Sequence, residues 1–443
     1  MRLKTSPAAI LFMLFAINVY GQVKVVNFDR LSIEDATNMA LENNPSVRIA
    51  VSGYDVSRSL LRQSRSGYFP AISFTASGTY TQGSFVFNPS IPVREQTYRS
   101  YTAGFQAQQL LWDFGRTSGR VSANENFVGA SSEDYQSALE NVIVGVQTAY
   151  YGYLQTQYVV KVNEETLQQA EEHLKVAQAF FKAGRTAEYD VTKAEVDVAN
   201  AEVNFLRSRN QVQIAKLQLE NAIGVQNPGS YVLLDSLRAG KFTMPLDSAR
   251  AIALENRSEL KAADYRVQAN RELLSATWAQ NLPVISAVGN YNWNGFGLPL
   301  YSRWNAGLNF ALPIFQGFYV SAQVQESQAN VEQAMAAADV QRQNAILDVS
   351  QNYLAMSEAY QRIGASYKLV QSAVENLRLA QGRYNSGVGS PTEITDAQIT
   401  LANARITNIQ ALYDYNTSVI RLQKSMGTLG GEKVRRSTFD VQR

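Results

Sequence analysis

The acidic side chains of this 443-residue sequence stand singly, which limits the chemistry open to it. Ser390-Pro391-Thr392-Glu393 reads as a capping box with proline at the first helical position, so Glu393 suits a helix start. Asp396 follows three residues later on nearly the same face, and Asp190 opens another helical pattern. Both are first-turn acids that favour the positive end of a helix dipole. The single histidine, His173, lies in EEHLKVAQ and reads as a solvated helix residue, because no second histidine exists to share a ligand or catalytic role. There is no cysteine, which removes disulfides, thiol catalysis and thiolate metal sites. No nucleophile, base and orienting group gather along the chain, so no enzyme activity, cofactor or metal is expected. A net charge of +2 with 18% charged residues offers no electrostatic footprint for nucleic acid.

The elements that hold these residues are written twice. ALEN at 40–43 recurs at 253–256, and FPAIS at 69–73 recurs as LPVIS at 282–286, both at an offset of 213. Beyond that the offset is 203: Gly184 matches Gly387, Asp190-Val191 matches Glu393-Ile394, and Gly224 matches Gly427. The ten lost residues fall between the two strand patterns of each half, where a loop tip tolerates length change. Residues 1–21, with Arg2, Lys4 and the apolar run Ala8–Val19, read as a signal peptide. A first repeat then spans 22–230, with strands at about 70–113 and a turn at 184–189. A second spans 231–427, with strands at about 282–316 and a turn at 386–391, before a 428–443 tail. No proline lies between Pro92 and Pro228 or between Pro313 and Pro391, so each half is expected to carry one very long helix. In the second, Ile346, Val349, Tyr353, Met356, Tyr360, Ile363, Tyr367, Val370, Val374 and Leu377 keep a 3-4 spacing, a coiled-coil seam.

The strands are two-faced. Ile72, Phe74, Ala76, Gly78 and Tyr80 alternate with Ser73, Thr75, Ser77, Thr79 and Thr81, and the segments at 101–108, 285–294 and 304–312 do the same. The polar faces are almost uncharged Ser, Thr, Asn and Gln, with aromatics near the ends, the signature of outer-membrane barrel strands rather than of a small soluble sandwich. Four strands cannot close a useful barrel, eight would be filled by side chains, and twelve from three chains leave a lumen. The fold expected is therefore mostly α with membrane β: a trimeric 12-stranded β-barrel continuous with a long helical barrel.

This arrangement resembles the TolC-like outer-membrane efflux protein family over nearly all of the mature chain. The resemblance rests on the repeat, the paired strands, and the GxxxxxD/E turns in FFKAGRTAEYDVTKAE (180–195) and RYNSGVGSPTEITDAQ (383–398). It implies a homotrimer with a 12-helix α-barrel, seated in outer-membrane lipid with its helices in the periplasm. Such a duct works with a periplasmic adaptor protein and an inner-membrane transporter to export small molecules or, in some members, proteins. It also implies that the coils around turn glycines Gly184 and Gly387 close the periplasmic end. Tyr384 and Asp190 match tip residues of the family, and Glu393 and Asp396 fall where its best-known member has an acidic constriction. Gly389 departs from that member, which has an arginine there tying neighbouring coils; Arg185 is a candidate substitute. The rival reading is a secreted coiled-coil structural or adhesion protein, which accounts for the heptads but not the strands.

Overall fold

The computed structural model describes residues 29–84, 95–225, 229–240 and 242–430. The expected signal peptide, most of the loop expected near 88–97 and nearly all of the 428–443 tail lie outside the described residues. The chain opens with β1 (Arg30–Leu31), α1 (Ile33–Asn43) and α2 (Pro45–Arg65), followed by β2 (Ala71–Ser84), β3 (Glu95–Trp112), α3 (Arg116–Lys182) and α4 (Glu188–Ile223). The same order returns in β4 (Val232–Leu233), α5 (Leu246–Asn256), α6 (Ser258–Trp278), β5 (Val284–Gly295), β6 (Tyr301–Ala311), α7 (Tyr319–Asn385) and α8 (Pro391–Ser425). α5 begins 213 residues after α1, and α7 begins 203 after α3. α3 and α7 have 67 residues each, so each is about 100 Å long.

Local chemistry sets where strands become helices. Before α3, Phe114 and Gly115 take left-handed backbone angles, and Gly317 and Phe318 do so before α7. Asp113 then accepts hydrogen bonds from the Thr117 amide at 2.8 Å and the Thr117 hydroxyl at 2.6 Å, satisfying a free donor at the start of α3. The last strand, expected to reach 316, ends at Ala311 because Pro313 has no N–H to give a ladder.

The long strands form one antiparallel sheet in the order β2-β3-β5-β6. Its register sets Phe74, Phe105, Tyr291 and Trp304 side by side in one row, while Ser73, Gln106, Asn290 and Asn305 form a row of opposite parity. The alternation therefore sorts the sheet into an apolar and a polar face. Phe74, Phe105, Tyr291 and Trp304 are all exposed, so the apolar face has no cover within the chain. Gly104 lies where a Cβ would meet the Asn292 side chain at 2.0 Å, so a side chain there would push the two strands apart.

The helical layer repeats the lateral order of the sheet. α3 packs between α2 and α4 on one side and α6 and α8 on the other, and α7 packs beyond α6 and α8. Read across the molecule, β2 goes with α2 and α4, β3 with α3, β5 with α6 and α8, and β6 with α7.

The main core lies midway along the helices. Leu139, Ile143, Val146 and Tyr150 of α3 meet Leu219 and Ile223 of α4 together with Ala36 and Ala40 of α1. There β1 pairs in parallel with β4, and the Tyr150 hydroxyl donates to the Asp235 carboxylate at 2.7 Å and lies 2.9 Å from the Leu31 carbonyl. Arg257 is buried nearby and holds the partly exposed Glu259 at 3.3 Å and Asp348 at 3.1 Å. Glu140 is buried beside it, and burial, followed by the charge of Glu259, pushes its carboxyl up to about 7.

The α7 seam needs a correction. Val349, Met356 and Leu377 are buried as expected, but Tyr360, Tyr367 and Val374 are exposed in the chain. The row completing the buried stripe is Ala345, Ala359, Ser366, Ala373 and Ala380. Small side chains there let α8 approach closely, and the larger residues of the other row are left on the flank of the helix.

Candidate functional site

Both hairpin tips are built by the same backbone device. At the end of α3, Gly184 has φ +68 and donates to the Phe181 carbonyl at 2.9 Å, while Arg185 donates to Phe180 at 2.9 Å. At the end of α7, Gly387 has φ +78 and donates to Tyr384 at 2.9 Å, while Val388 donates to Arg383 at 3.1 Å. These are paired Schellman motifs, which satisfy the last carbonyls of a helix and need a left-handed residue, hence glycine. The next helices, α4 and α8, begin within a few residues, so each tip is a tight antiparallel hairpin.

Around the second turn, Ser390 caps α8 by accepting from the Glu393 amide at 3.3 Å. The Glu393 carboxylate is bound by Arg383 across the turn at 3.1 Å. That guanidinium, and less strongly the Ser390 backbone amide, hold the carboxyl below its ordinary value. Asp396, expected in the first turn, is the sixth residue of α8 and so lies in its second turn; it is exposed and has no ion pair among the described residues. The two acids therefore differ in kind: one is neutralised inside its own hairpin, the other stands free. Asp190 is half-buried on α4 and accepts from the Thr186 hydroxyl.

The departure at Gly389 has a steric cause here. A Cβ would lie 2.9 Å from the Tyr384 amide nitrogen and 3.0 Å from the Arg383 carbonyl carbon, so a side chain there would force the turn backbone to shift. Arg185, the candidate replacement for an arginine at that position, is engaged elsewhere, with its guanidinium 4.8 Å from the Phe180 ring. Arg383 makes an ion pair at this tip, but within its own hairpin, with a partner the sequence signals only through its place ten residues before Glu393.

Tyr384 is 6% exposed and joins the two hairpins. Its ring lies 5.6 Å from Phe180 and 5.5 Å from His173, both on α3. Its hydroxyl is sealed in with no hydrogen-bond partner among the described residues. His173 is thus not a solvated residue: it is 8% exposed, because α7 lays Tyr384 over it. Burial lowers its pKa from the ordinary value, with Asp197 and then Asp190 pulling it back. A second tie joins the hairpins where Thr395 of α8 donates to Asp197 of α4 at 2.8 Å, and Asp197 also pairs with Lys193. His173 was singled out but read as solvated, and Phe180, Asp197 and Thr395 escaped the sequence reading; the seven-residue spacing of His173 and Phe180 was the one available signal.

What this arrangement can do is hold two hairpins together or let them part. Among the described residues no helix is long and apolar enough to cross a membrane, and no three His, Cys, Asp or Glu side chains gather to hold a metal.

Comparison with known proteins agrees with that geometry. The outer membrane efflux protein family matches residues 36–225 and 250–428. The outer membrane protein TolC of Escherichia coli K12 is 21% identical over 87% of this chain and 80% of its own length. The toluene efflux pump outer membrane protein TtgI of Pseudomonas putida is 25% identical over 88% of this chain and 83% of its own length. The solved Campylobacter jejuni CmeC outer membrane channel superposes with a TM-score of 0.82 at 18% identity, covering 93% of this chain and 89% of that one. These relatives are channel proteins rather than enzymes, and none supports a secreted adhesion protein. The chain belongs to the outer membrane efflux protein family: it is an export channel of the outer membrane whose helices stand in the periplasm.

Proposed function

We propose that three copies of this chain close into one duct, twelve strands above and twelve helical positions below. The observation that carries this is the shared lateral order of sheet and helices, which leaves both layers open at the same two edges. β2 and β6 each keep one unpaired ladder of backbone groups within the chain, and an edge of that kind needs a partner strand. Below them, Val203, Leu206 and Leu217 of α4 and Leu354, Tyr367 and Val374 of α7 are exposed apolar residues on the two outer helices. Joining β6 and α7 of one copy to β2 and α4 of the next covers both at once. The row Phe74, Phe105, Tyr291 and Trp304 then faces lipid and the Ser, Thr, Asn and Gln row faces the lumen.

In this reading the duct is passive and meets a periplasmic adaptor and an inner-membrane transporter at its helical end, exporting small molecules or proteins. Tyr384, Asp190, Glu393 and Asp396 form its periplasmic constriction, with Asp396 supplying a ring of three free carboxylates. Native mass spectrometry of detergent-solubilised protein should give a trimer, and planar bilayers should show a cation-selective low-conductance state. Asp396→Asn should abolish that selectivity with little effect on trimer melting, whereas Glu393→Gln should act mainly on the turn. A monomer, or a trimer that never conducts, would end this reading.

A further inference from the structure

The two hairpins of the chain do not end level. Tyr384 is one residue from the end of α7, yet its ring lies between Phe180 and His173, two and nine residues from the end of α3. Thr395 is the fifth residue of α8 but bonds to Asp197, the tenth of α4. Both contacts are displaced in the same sense by about five residues, so the second tip is recessed by about 7 Å at the helical rise. The recess places a histidine, not the hairpin end, under the Tyr384 ring.

We propose that Tyr384, seated between His173 and Phe180 and backed by the Thr395–Asp197 hydrogen bond, is a proton-released latch between the two tip hairpins. It rests on the duct reading for its consequence but not for its geometry. A neutral imidazole packs edge-on against Tyr384, with ring planes at 63°, and brings no charge into that seat. An imidazolium adds a second N–H and a full charge to the same buried place, and the loss of water there disfavours it. The charged groups that face His173 are Asp190, Lys193 and Asp197 of α4. Asp197 is already held by Lys193 and Thr395, and Asp190 by Thr186. From α7 comes the Tyr384 ring, while Arg383 is tied to Glu393 of α8. Charging His173 therefore favours the parted arrangement, in which water and a freed carboxylate reach the ring.

The sign follows from linkage. The buried neutral histidine has a lowered pKa, so the latch is intact above the ordinary value of 6.5 and weakens as pH falls below it. Uptake of one proton shifts the parted-to-latched ratio by up to about tenfold per pH unit in that window.

The absence of cysteine makes a direct test simple. Spin labels at Tyr189→Cys and Val388→Cys, both exposed near the two tips, report the separation of the hairpins by double electron–electron resonance in protomers diluted among unlabelled ones. One narrow distance is expected at pH 7.5 and a second, longer population at pH 5.0. His173→Phe keeps the aromatic seat without the proton and should stay narrow at both, while Thr395→Val should broaden the distance at both. An unchanged distance in the parent protein, or a His173→Phe protein that parts like it, overturns the latch. Conductance of the same samples separates the two readings: a pH-dependent distance in a protein that never conducts upholds the latch and ends the duct, and a conducting, pH-invariant tip does the reverse.

Discussion

Removing only the hydroxyl of Tyr384 should leave the tip closed, whereas removing its ring should open it. The side chain is buried, and the hydroxyl has no partner among the described residues, so burying it costs rather than contributes, by about 1–3 kcal/mol for an unsatisfied polar group. Tyr384→Phe therefore keeps the contacts to Phe180 and His173 and should be neutral or stabilising by about 1 kcal/mol. Tyr384→Ala deletes an aromatic group from a packed seat, a change that costs about 3–5 kcal/mol in protein cores. At about 1.4 kcal/mol per decade, that is about two to three and a half orders of magnitude in the local opening equilibrium. Hydrogen exchange followed by mass spectrometry on peptides covering 173–185 and 383–395 measures that equilibrium directly. The alanine variant should exchange at least a hundredfold faster there and unchanged in peptides around Tyr150, roughly as its cost of about 3 kcal/mol requires. If Tyr384→Phe opens the tip as far as Tyr384→Ala, the hydroxyl has an acceptor, with Asp190 the nearest charged candidate, and the aromatic-seat argument fails.

Other substitutions probe other parts of the same architecture. Tyr150→Phe removes the hydroxyl that bridges Asp235 and the Leu31 carbonyl, and should cost about 2 kcal/mol, seen as faster exchange of amides 30–33. Glu140→Gln should make stability less pH-dependent. A carboxyl raised from 4.5 to about 7 by burial loses its contribution as pH climbs between those values, so the variant should gain up to about 3 kcal/mol over the parent by pH 8 in urea melts. Gly389→Ala places a methyl 2.9 Å from the Tyr384 nitrogen and should loosen the second turn, raising trypsin cleavage after Arg383 while sparing Arg185. Leu354→Asp on the free flank of α7 should leave the protomer folded but lower trimer yield in native mass spectrometry, because the carboxylate would be buried unpaired only on assembly.

Much of the architecture could be read from sequence because it is local. A strand displays its two faces every second residue and a long helix its seam every three or four. Alternation at 72–81 therefore marked β2, and the proline-free stretches marked α3 and α7. Comparing the chain with itself added the repeat, since offsets of 213 and 203 reappear in the starts of the elements. Periodicity states that a helix has a stripe but not which neighbour will cover it. That is why Val349 and Met356 were read correctly while Tyr360 and Tyr367 turned out exposed beside a buried row of alanines. At the tips, the spacing of glycine and acid was visible, because the backbone of a Schellman turn requires it. What the acids and aromatics touch was not. Arg383 meets Glu393 only after the chain has turned back on itself, and Thr395 meets Asp197 across 198 residues. His173 looked solvated because its own helix supplies no cover; the cover is Tyr384, brought by a helix that begins in the other repeat. Burial is decided by the second element to arrive, and only the tertiary structure says which one that is and how far it is recessed.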